Sequence, residues 1–175
     1  MTISRESYQG VNYCLRCGNP LTAQTDGEDK LRMRCKTCGW TFYKNPIPAA
    51  ACVILNEQQQ LLVIKRKFAP NPGEWALPSG YIEIDQSPET AAIAEMKEET
   101  GLIGEIDKFI DYRPNPSPIY EQVISFGFLM KIVGGELKAG DDAEEAKFVN
   151  WEDLPAICFA SHRYYIDKIR KELEK

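Results

Sequence analysis

Residues 80–102 read GYIEIDQSPETAAIAEMKEETGL, and this stretch decides the fold. Its three glutamates have the spacing i, i+3 and i+4, which places side chains on one face of a helix: Glu95, Glu98 and Glu99. Pro88 near the start and Gly101 at the end are typical of a helix over Pro88–Thr100. Hard divalent cations such as Mg²⁺ bind oxygen ligands of this kind. A solvated acidic helix face is the alternative.

The same stretch resembles the Nudix box, the motif of the Nudix hydrolases, whose pattern is G-x5-E-x7-R-E-U-x-E-E-x-G-U with U a bulky aliphatic residue. Gly80 takes the first glycine of this pattern. Later fixed positions are occupied by Glu95, Met96, Glu98, Glu99, Gly101 and Leu102. Gln86 and Ala94 stand where the family has Glu and Arg. Because those two family side chains can pair, losing both leaves no unpaired charge behind.

The resemblance extends over roughly residues 48–165. GEWALPSG at residues 73–80 is similar to the family's approach to the box, and WEDLP followed by FASHR is similar to its C-terminal part. A cysteine-rich segment followed by such a domain resembles the zinc-ribbon NADH pyrophosphatases and a related group acting on ADP-ribose or FAD. DYRPNPSPIYEQ at residues 111–122 differs from the S-Q-P-W-P-F-P-type stretch of the NADH enzymes, which argues against strict NADH specificity.

Four of the six cysteines form two C-x2-C pairs separated by 17 residues: Cys14, Cys17, Cys35 and Cys38. This spacing is typical of a zinc site. Two disulfides are the alternative, and the lack of an apolar leader in MTISRESYQG argues against them. A redox role is disfavoured because the pairs are matched and no βαβ pattern surrounds them. We therefore predict a closed, structural Zn²⁺ site with four thiolates, in a zinc ribbon.

The chain is expected to contain two domains, a small zinc-ribbon β module at residues 1–46 and a second domain at residues 47–175. A ribbon of this size cannot build a sufficient core, so metal binding would supply stability. Strands interleaved with two helices fit an α/β or α+β domain. The resemblance implies the Nudix α/β/α sandwich with a mixed sheet.

Several local structures follow from the sequence. TAQTDGEDKLRMRC predicts a hairpin with its turn at Asp26–Gly27. In the helix over Pro88–Thr100, the core-facing side is expected to contain Ile93, Met96 and Thr100. Three prolines are expected to end the strand that begins at Ile103 and to form a loop: Pro114, Pro116 and Pro118. A final helix is expected from about Ser161. Cys52 and Cys158 are expected to be core residues.

Composition limits the function classes. Of the 175 residues, 43% are hydrophobic, which is enough for a packed core. No run of about 18 apolar residues is present, so no membrane span is expected, and we expect a cytoplasmic protein. The net charge is −5, divided between +3 in residues 1–46 and −8 in residues 47–175, which argues against a general nucleic-acid binder.

The resemblance implies hydrolysis of a nucleoside diphosphate linked to another moiety, with Mg²⁺ or Mn²⁺ as the catalytic metal. The metal ligands would be the three glutamates of the helix and the backbone carbonyl of Gly80. The resemblance also implies a further carboxylate that completes the site or acts as base, and it is expected in the loop DDAEEA, where Glu145 is favoured slightly over Glu144.

Substrate-binding candidates lie outside the box. Arg66 matches a family position near the phosphates and could grip them in a bidentate manner, or it could be a surface residue at a strand end. Arg113 and Tyr120 border the proline-rich segment and could contact the base or ribose. His162, the only histidine, is expected at the surface or at a helix cap.

Three functions remain open from the sequence. The first is an active pyrophosphohydrolase, the second a non-catalytic nucleotide sensor of the same fold, and the third a nucleic-acid-binding ribbon protein. The intact carboxylates favour the enzyme, whereas Gln86 and Ala94 are hints toward the sensor. The ribbon is expected to brace the second domain or a homodimer interface.

Overall fold

The structure is a computed structural model, and it describes residues 10–175. The prediction about a secretory leader concerns the first ten residues and therefore lies almost entirely outside the described part. The chain divides into two compact units, one ending at Asn45 and the other beginning at Pro46.

The first unit is a small antiparallel sheet of three strands in the order β1-β2-β3. They are β1 (Leu21–Thr25), β2 (Leu31–Cys35) and β3 (Thr41–Phe42). The Asp26 carboxylate closes the β1–β2 turn, because its Oδ1 accepts backbone N–H groups of Glu28 and Lys30, both at 2.9 Å. The predicted hairpin in this segment is confirmed.

The second unit contains seven strands and two α-helices. They are β4 (Ile47–Ile54), β5 (Leu61–Arg66), β6 (Trp75–Ala76), β7 (Ser79–Tyr81), α1 (Pro88–Thr100), β8 (Leu102–Ser117), β9 (Glu121–Gly135), β10 (Ala143–Val149) and α2 (Ala160–Leu173), with a 3₁₀ turn at Trp151–Asp153. Four strands form a sheet in the order β7-β4-β9-β8, and three form a second sheet in the order β10-β5-β6. β4 and β9 are parallel and the other pairs are antiparallel, so the larger sheet is mixed.

Alternate residues of β4 point to opposite faces of its sheet, as strand geometry requires. Ala50, Cys52 and Ile54 pack in the core cluster that contains the buried face of α1. Ala51 and Val53 pack in the cluster that contains the buried face of α2. The sheet is thus covered by one helix on each face, which confirms the predicted α/β/α sandwich and the core position of Cys52.

The proline-rich segment differs from its prediction. β8 continues to Ser117, and Pro114 and Pro116 pair with Ile124 and Gln122 of β9. β8 is an edge strand of its sheet. An edge strand can accept proline because the missing N–H would face solvent. The expectation of a loop from Pro114 was therefore wrong.

Helix α1 has the predicted bounds. Met96 and Thr100 are buried as expected, but Ile93 is 37% exposed and does not belong to the core. Ala91 and Ala92 are buried on the core-facing side instead, and their small side chains let the helix lie close to the sheet. No helix within the described residues is long and apolar enough to cross a membrane.

Candidate active site

Capping interactions at both ends fix helix α1, which contains the three glutamates. The Ser87 side chain accepts the N–H of Thr90, and the Thr90 side chain accepts the N–H of Ser87, which completes a capping box. Pro88 occupies the first turn. Gly101 ends the helix with φ 71°, a conformation that favours glycine. The register of the acidic face is therefore determined locally.

The segment Ser79–Gly80 at the start of β7 contacts this acidic face. A Cβ atom added to Gly80 would lie 1.9 Å from Glu95 Oε1, so the approach of Glu95 requires glycine at this position. The Ser79 N–H donates to Glu99 Oε2 at 2.8 Å. Two of the three predicted metal ligands on α1 thus converge on the turn that contains the predicted backbone ligand.

Burial and mutual repulsion perturb the two glutamates. Burial raises the pKa of Glu95 to about 7, with further contributions from the charges of Glu98, Asp142 and Asp141. Burial likewise raises the pKa of Glu99 to about 8, against the opposing effect of the Ser79 hydrogen bond. Burial is the main cause of both shifts, and the neighbouring carboxylates add to it.

The acidic face is more open than a preformed cage. No donor to the Glu95 carboxylate is found among residues 10–175, and Glu98 is exposed. In the described part of the chain, only the four cysteines bring three or more ligand atoms within 4.8 Å of one another. Mg²⁺ usually keeps several waters and takes few direct carboxylate ligands, and Glu95 and Glu99 at the Gly80 turn are ligands of that kind.

The acidic loop before β10 contributes residues that the sequence prediction missed. The loop is held to α1 because the Gly140 N–H donates to the Glu99 carbonyl at 3.2 Å. Asp141 and Asp142 follow directly, and Asp142 raises the pKa of both Glu95 and Glu99. Glycine next to a pair of aspartates was visible in the sequence, but only strand pairing places them beside the helix.

Glu145, the favoured candidate, lies inside β10, opposite Lys65. Its Oε1 is 3.1 Å from the Lys147 ammonium group. Glu144 Oε2 is 3.4 Å from Lys65 Nζ. Both carboxylates are therefore engaged by lysines of the β5–β10 pair, and neither is among the charges that perturb Glu95 and Glu99. The catalytic role of Glu145 stays a prediction.

Arg66 is buried, not a surface residue at a strand end. It is 8% exposed, its Nε donates to the Pro70 carbonyl at 2.8 Å, and its guanidinium lies 5.2 Å from the centre of the Phe159 ring. Its charge lowers the pKa of Glu99, so the two side chains are neighbours. Arg66 also lines a cleft of about 660 Å³ together with Lys67, Pro72, Gly73, Ala143 and Glu144.

Arg113 and Tyr120 occupy different places. The Arg113 guanidinium lies 4.3 Å from the centre of the Tyr164 ring on α2. Tyr120 packs edge-to-face against Tyr81, with ring centres 5.3 Å apart, and Tyr81 follows Gly80 directly. Tyr120 is therefore linked to the turn at Gly80, whereas Arg113 contacts α2. Substrate contacts by either residue stay predictions.

His162 differs from its prediction most clearly. It is 4% exposed, and its Nδ1 accepts the Leu77 N–H at 3.1 Å. Burial lowers its pKa to about 3, with further lowering from the charges of Arg66 and Arg163. The surface position was wrong because Leu77, which lies 85 residues earlier, packs against the start of α2.

The four-cysteine cluster of the first unit has the geometry of a tetrahedral site. Sγ atoms are separated by 3.6 Å between Cys14 and Cys38, and by 3.5 Å from Cys17 to both Cys35 and Cys38. Four sulfurs about 2.3 Å from a zinc ion would be about 3.8 Å apart. All six cysteines are free thiols, so the disulfide alternative is not observed. The donor set and its spacing fit Zn²⁺.

Comparison with known protein families shows the family of each part of the chain. Residues 45–169 match the model of the NUDIX domain, and residues 12–44 match the model described as Nudix N-terminal, a zinc ribbon. The chain belongs to the Nudix family. Its second unit is a Nudix hydrolase domain, and the order of ribbon and domain agrees with the resemblance seen in the sequence.

Relatives and solved structures agree with this assignment. An "ADP-ribose pyrophosphatase" of Methanocaldococcus jannaschii is 39% identical over 132 residues, which are 75% of this chain and 78% of that protein. A "NAD-capped RNA hydrolase NudC" of Haemophilus influenzae is 29% identical over 71% of this chain, and the match spans about half (46%) of that protein. A Nudix hydrolase structure from Nitrosomonas europaea has a TM-score of 0.79 over 92% of this chain and 91% of its own, at 23% identity, and supports the fold.

Proposed function

We propose that this chain hydrolyses a nucleoside diphosphate linked to another moiety, of the ADP-ribose, NADH or FAD type, and releases a nucleoside monophosphate. The observation that carries this proposal is the convergence of Glu95 and Glu99 on the turn at Gly80, with both pKa values raised. A metal-dependent hydrolase requires carboxylates of this kind to hold its cation, whereas a nucleotide sensor does not.

The residues that would hold Mg²⁺ or Mn²⁺ are the three glutamates of α1 and the carbonyl of Gly80. When bound, such ions neutralise the pyrophosphate charge and lower the pKa of a coordinated water. Cationic charge beside Glu95 and Glu99 would favour the ionised form of both carboxyl groups, which burial disfavours. Glu98, exposed on the same face, is free to turn toward a second ion or its waters.

Arg66 would bind the pyrophosphate beside these ligands. Its Nε is already committed to Pro70, and its ring contact with Phe159 holds the plane of the guanidinium, so the terminal N–H groups remain to grip phosphate oxygens. Because its charge acts on Glu99, a phosphate held by Arg66 would lie close to the acidic face.

A carboxylate must accept a proton from the attacking water, and the chain offers two candidates. Asp142 acts electrostatically on both buried glutamates. Glu145 is paired with Lys147 on β10, and it would have to leave this partner to reach the site. We therefore favour Asp142, and retain Glu145 as the alternative that mutation can separate.

Zn²⁺ would be held by the four thiolates of the ribbon and would stabilise that unit without chemistry, since no ligand position is left open. We propose that residues 1–46 and 47–175 are separate structural modules. Nothing in this role requires the ribbon to contact the substrate.

The substrate proposal starts from ADP-ribose, because a relative that is 39% identical over 132 residues is named for that activity. The test uses chromatography to measure the AMP that is released from ADP-ribose, NADH and FAD in the presence of Mg²⁺. Diadenosine polyphosphates, sugar nucleotides and oxidised deoxynucleotides complete the panel. We expect ADP-ribose to be hydrolysed.

Glu99→Gln should lower this turnover by about 100-fold, as expected for loss of correct positioning. Glu105→Gln is the matched control, because it removes the same charge from an exposed residue of β8 that pairs with Lys131 at 3.2 Å. Tight nucleotide binding without turnover of any compound would contradict the hydrolase proposal and would favour a nucleotide sensor.

A further inference from the structure

We propose that His162 is a positioning residue of the active site, which holds the metal-binding turn in place through the Leu77 N–H. The proposal rests on the hydrolase function given above, and it adds a residue to that site from the far end of the chain. His162 lies in the first turn of α2 and touches none of the glutamates. Its effect would therefore be transmitted through the backbone of the turn.

The three residues that lead into Gly80 are each held by a different element. The Leu77 N–H donates to His162 Nδ1 on α2 at 3.1 Å. The Pro78 carbonyl accepts the Cys52 N–H of β4 at 2.9 Å. The Ser79 N–H donates to Glu99 Oε2 on α1 at 2.8 Å. Two of these contacts come from the sheet and the acidic helix, and His162 supplies the third.

The backbone N–H of Leu77 cannot donate to water instead, because Leu77 is buried. Its side chain is fully buried, and the residue lies just beyond the pairing of β6 with β5, which ends at Ala76 opposite Ile64. A buried backbone N–H without an acceptor is strongly disfavoured. The imidazole therefore replaces a strand partner at the point where the chain leaves β6 and turns toward α1.

The His162 ring is itself held on several sides. It packs edge-to-face against Phe159, with ring centres 4.9 Å apart, and Phe159 also contacts the guanidinium of Arg66. The preceding segment is attached to β6, because the Cys158 N–H donates to the Trp75 carbonyl at 2.9 Å. One turn of α2 thus supports both the metal-binding turn and the arginine proposed to bind phosphate.

The direction of the hydrogen bond defines the state of the ring. A backbone N–H can only donate, so Nδ1 is the acceptor and the proton of the neutral imidazole is on Nε2. What the site requires at position 162 is therefore an acceptor at the δ position. Asparagine has such an acceptor, Oδ1, at the same number of bonds from Cα, whereas leucine has a similar shape and no acceptor.

The test compares His162→Asn with His162→Leu in the full-length, zinc-loaded chain. Mn²⁺ binding is measured without substrate, from the electron paramagnetic resonance signal of the free ion, and kcat and KM are measured with ADP-ribose and Mg²⁺. We expect His162→Leu to weaken Mn²⁺ binding by about tenfold and to lower kcat by about tenfold. Both values are at the lower end of the range that is typical for mutation of residues that orient metal ligands. KM should change little, and His162→Asn should restore most of both losses.

Tyr165→Phe is the control for a general loss of α2 packing. It removes the buried hydrogen bond that the Tyr165 hydroxyl of α2 donates to the Ser125 carbonyl of β9, and it leaves the hydrogen bond between Leu77 and His162 in place. It should lower the melting temperature and leave Mn²⁺ binding unchanged. If His162→Leu does not fold, His162→Gln takes its place, because its acceptor lies one bond further out and should restore less than Asn does.

The outcomes separate the two proposals. A wild type that neither binds Mn²⁺ nor hydrolyses any compound of the panel overturns the proposed function. An active wild type overturns only the positioning role if His162→Leu binds Mn²⁺ as the wild type does, if asparagine is as damaging as leucine, or if Tyr165→Phe weakens Mn²⁺ binding to the same extent.

Discussion

Replacing Glu99 by glutamine is expected to stabilise the metal-free Nudix domain at pH 8 and to have little effect at pH 5. Glu99 is 1% exposed, and its pKa is raised to about 8 by burial, with smaller contributions from Glu95 and Asp142. Glutamine has nearly the same shape and cannot ionise. Its side-chain oxygen can still accept the Ser79 N–H, so the native hydrogen bond is retained.

The magnitude follows from the difference between the folded pKa of about 8 and the ordinary value of 4.5. Below pH 4.5 the carboxyl group is protonated in both states, and its contribution to stability is fully present. Between pH 4.5 and 8 the unfolded chain releases the proton while the folded chain retains it, so stability falls as pH rises. At about 1.4 kcal/mol for each pKa unit, the wild type loses about 4 kcal/mol by pH 8 and less than about 1 kcal/mol by pH 5.

The assay is differential scanning calorimetry of zinc-loaded protein without added Mg²⁺, at pH 5 and pH 8. Glu99→Gln should raise the melting temperature of the Nudix domain at pH 8 by roughly 10 °C, given the size of the domain. Adding Mg²⁺ at pH 8 should stabilise the wild type more than the variant, because a cation would offset the cost of holding a charge on the buried Glu99. Glu105→Gln should follow the wild type at both pH values. Equal pH dependence of Glu99→Gln and wild type would refute the electrostatic account of this site.

Three further perturbations test other parts of the site. Gly80→Ala should displace Glu95 and lower kcat by about 100-fold without loss of the fold, measured by turnover and circular dichroism; unchanged kcat would contradict the close approach of these residues. Asp142→Asn should lower kcat by at least about tenfold and Glu145→Gln by less than about threefold, and the reverse order would identify Glu145 as the base. Cys35→Ala should abolish bound zinc, measured by atomic absorption, and remove hydrogen-exchange protection from the ribbon strands; protection retained without zinc would contradict the structural role of the metal.

Local sequence determined much of this protein. The spacing of the glutamates, the capping residues and Gly101 determined helix α1 and its acidic face, because a helix places i, i+3 and i+4 together wherever it lies. The paired cysteines similarly predicted a cluster, and the turn at Asp26 predicted the hairpin that brings the pairs together. These features depend on contacts between residues close in sequence, so one segment contains the information.

Tertiary structure decided the rest. Asp142 joins the acidic site because Gly140 docks on α1, and His162 reaches the turn at Leu77 because α2 covers the sheet face that contains the odd-numbered residues of β4. Prolines remain in β8 because that strand has an edge position. No local periodicity or motif in the sequence predicts these contacts, because each depends on which distant segments pack together. The sequence alone thus determined the acidic side chains proposed to bind metal, and packing across as many as 85 residues decided which distant residues surround them.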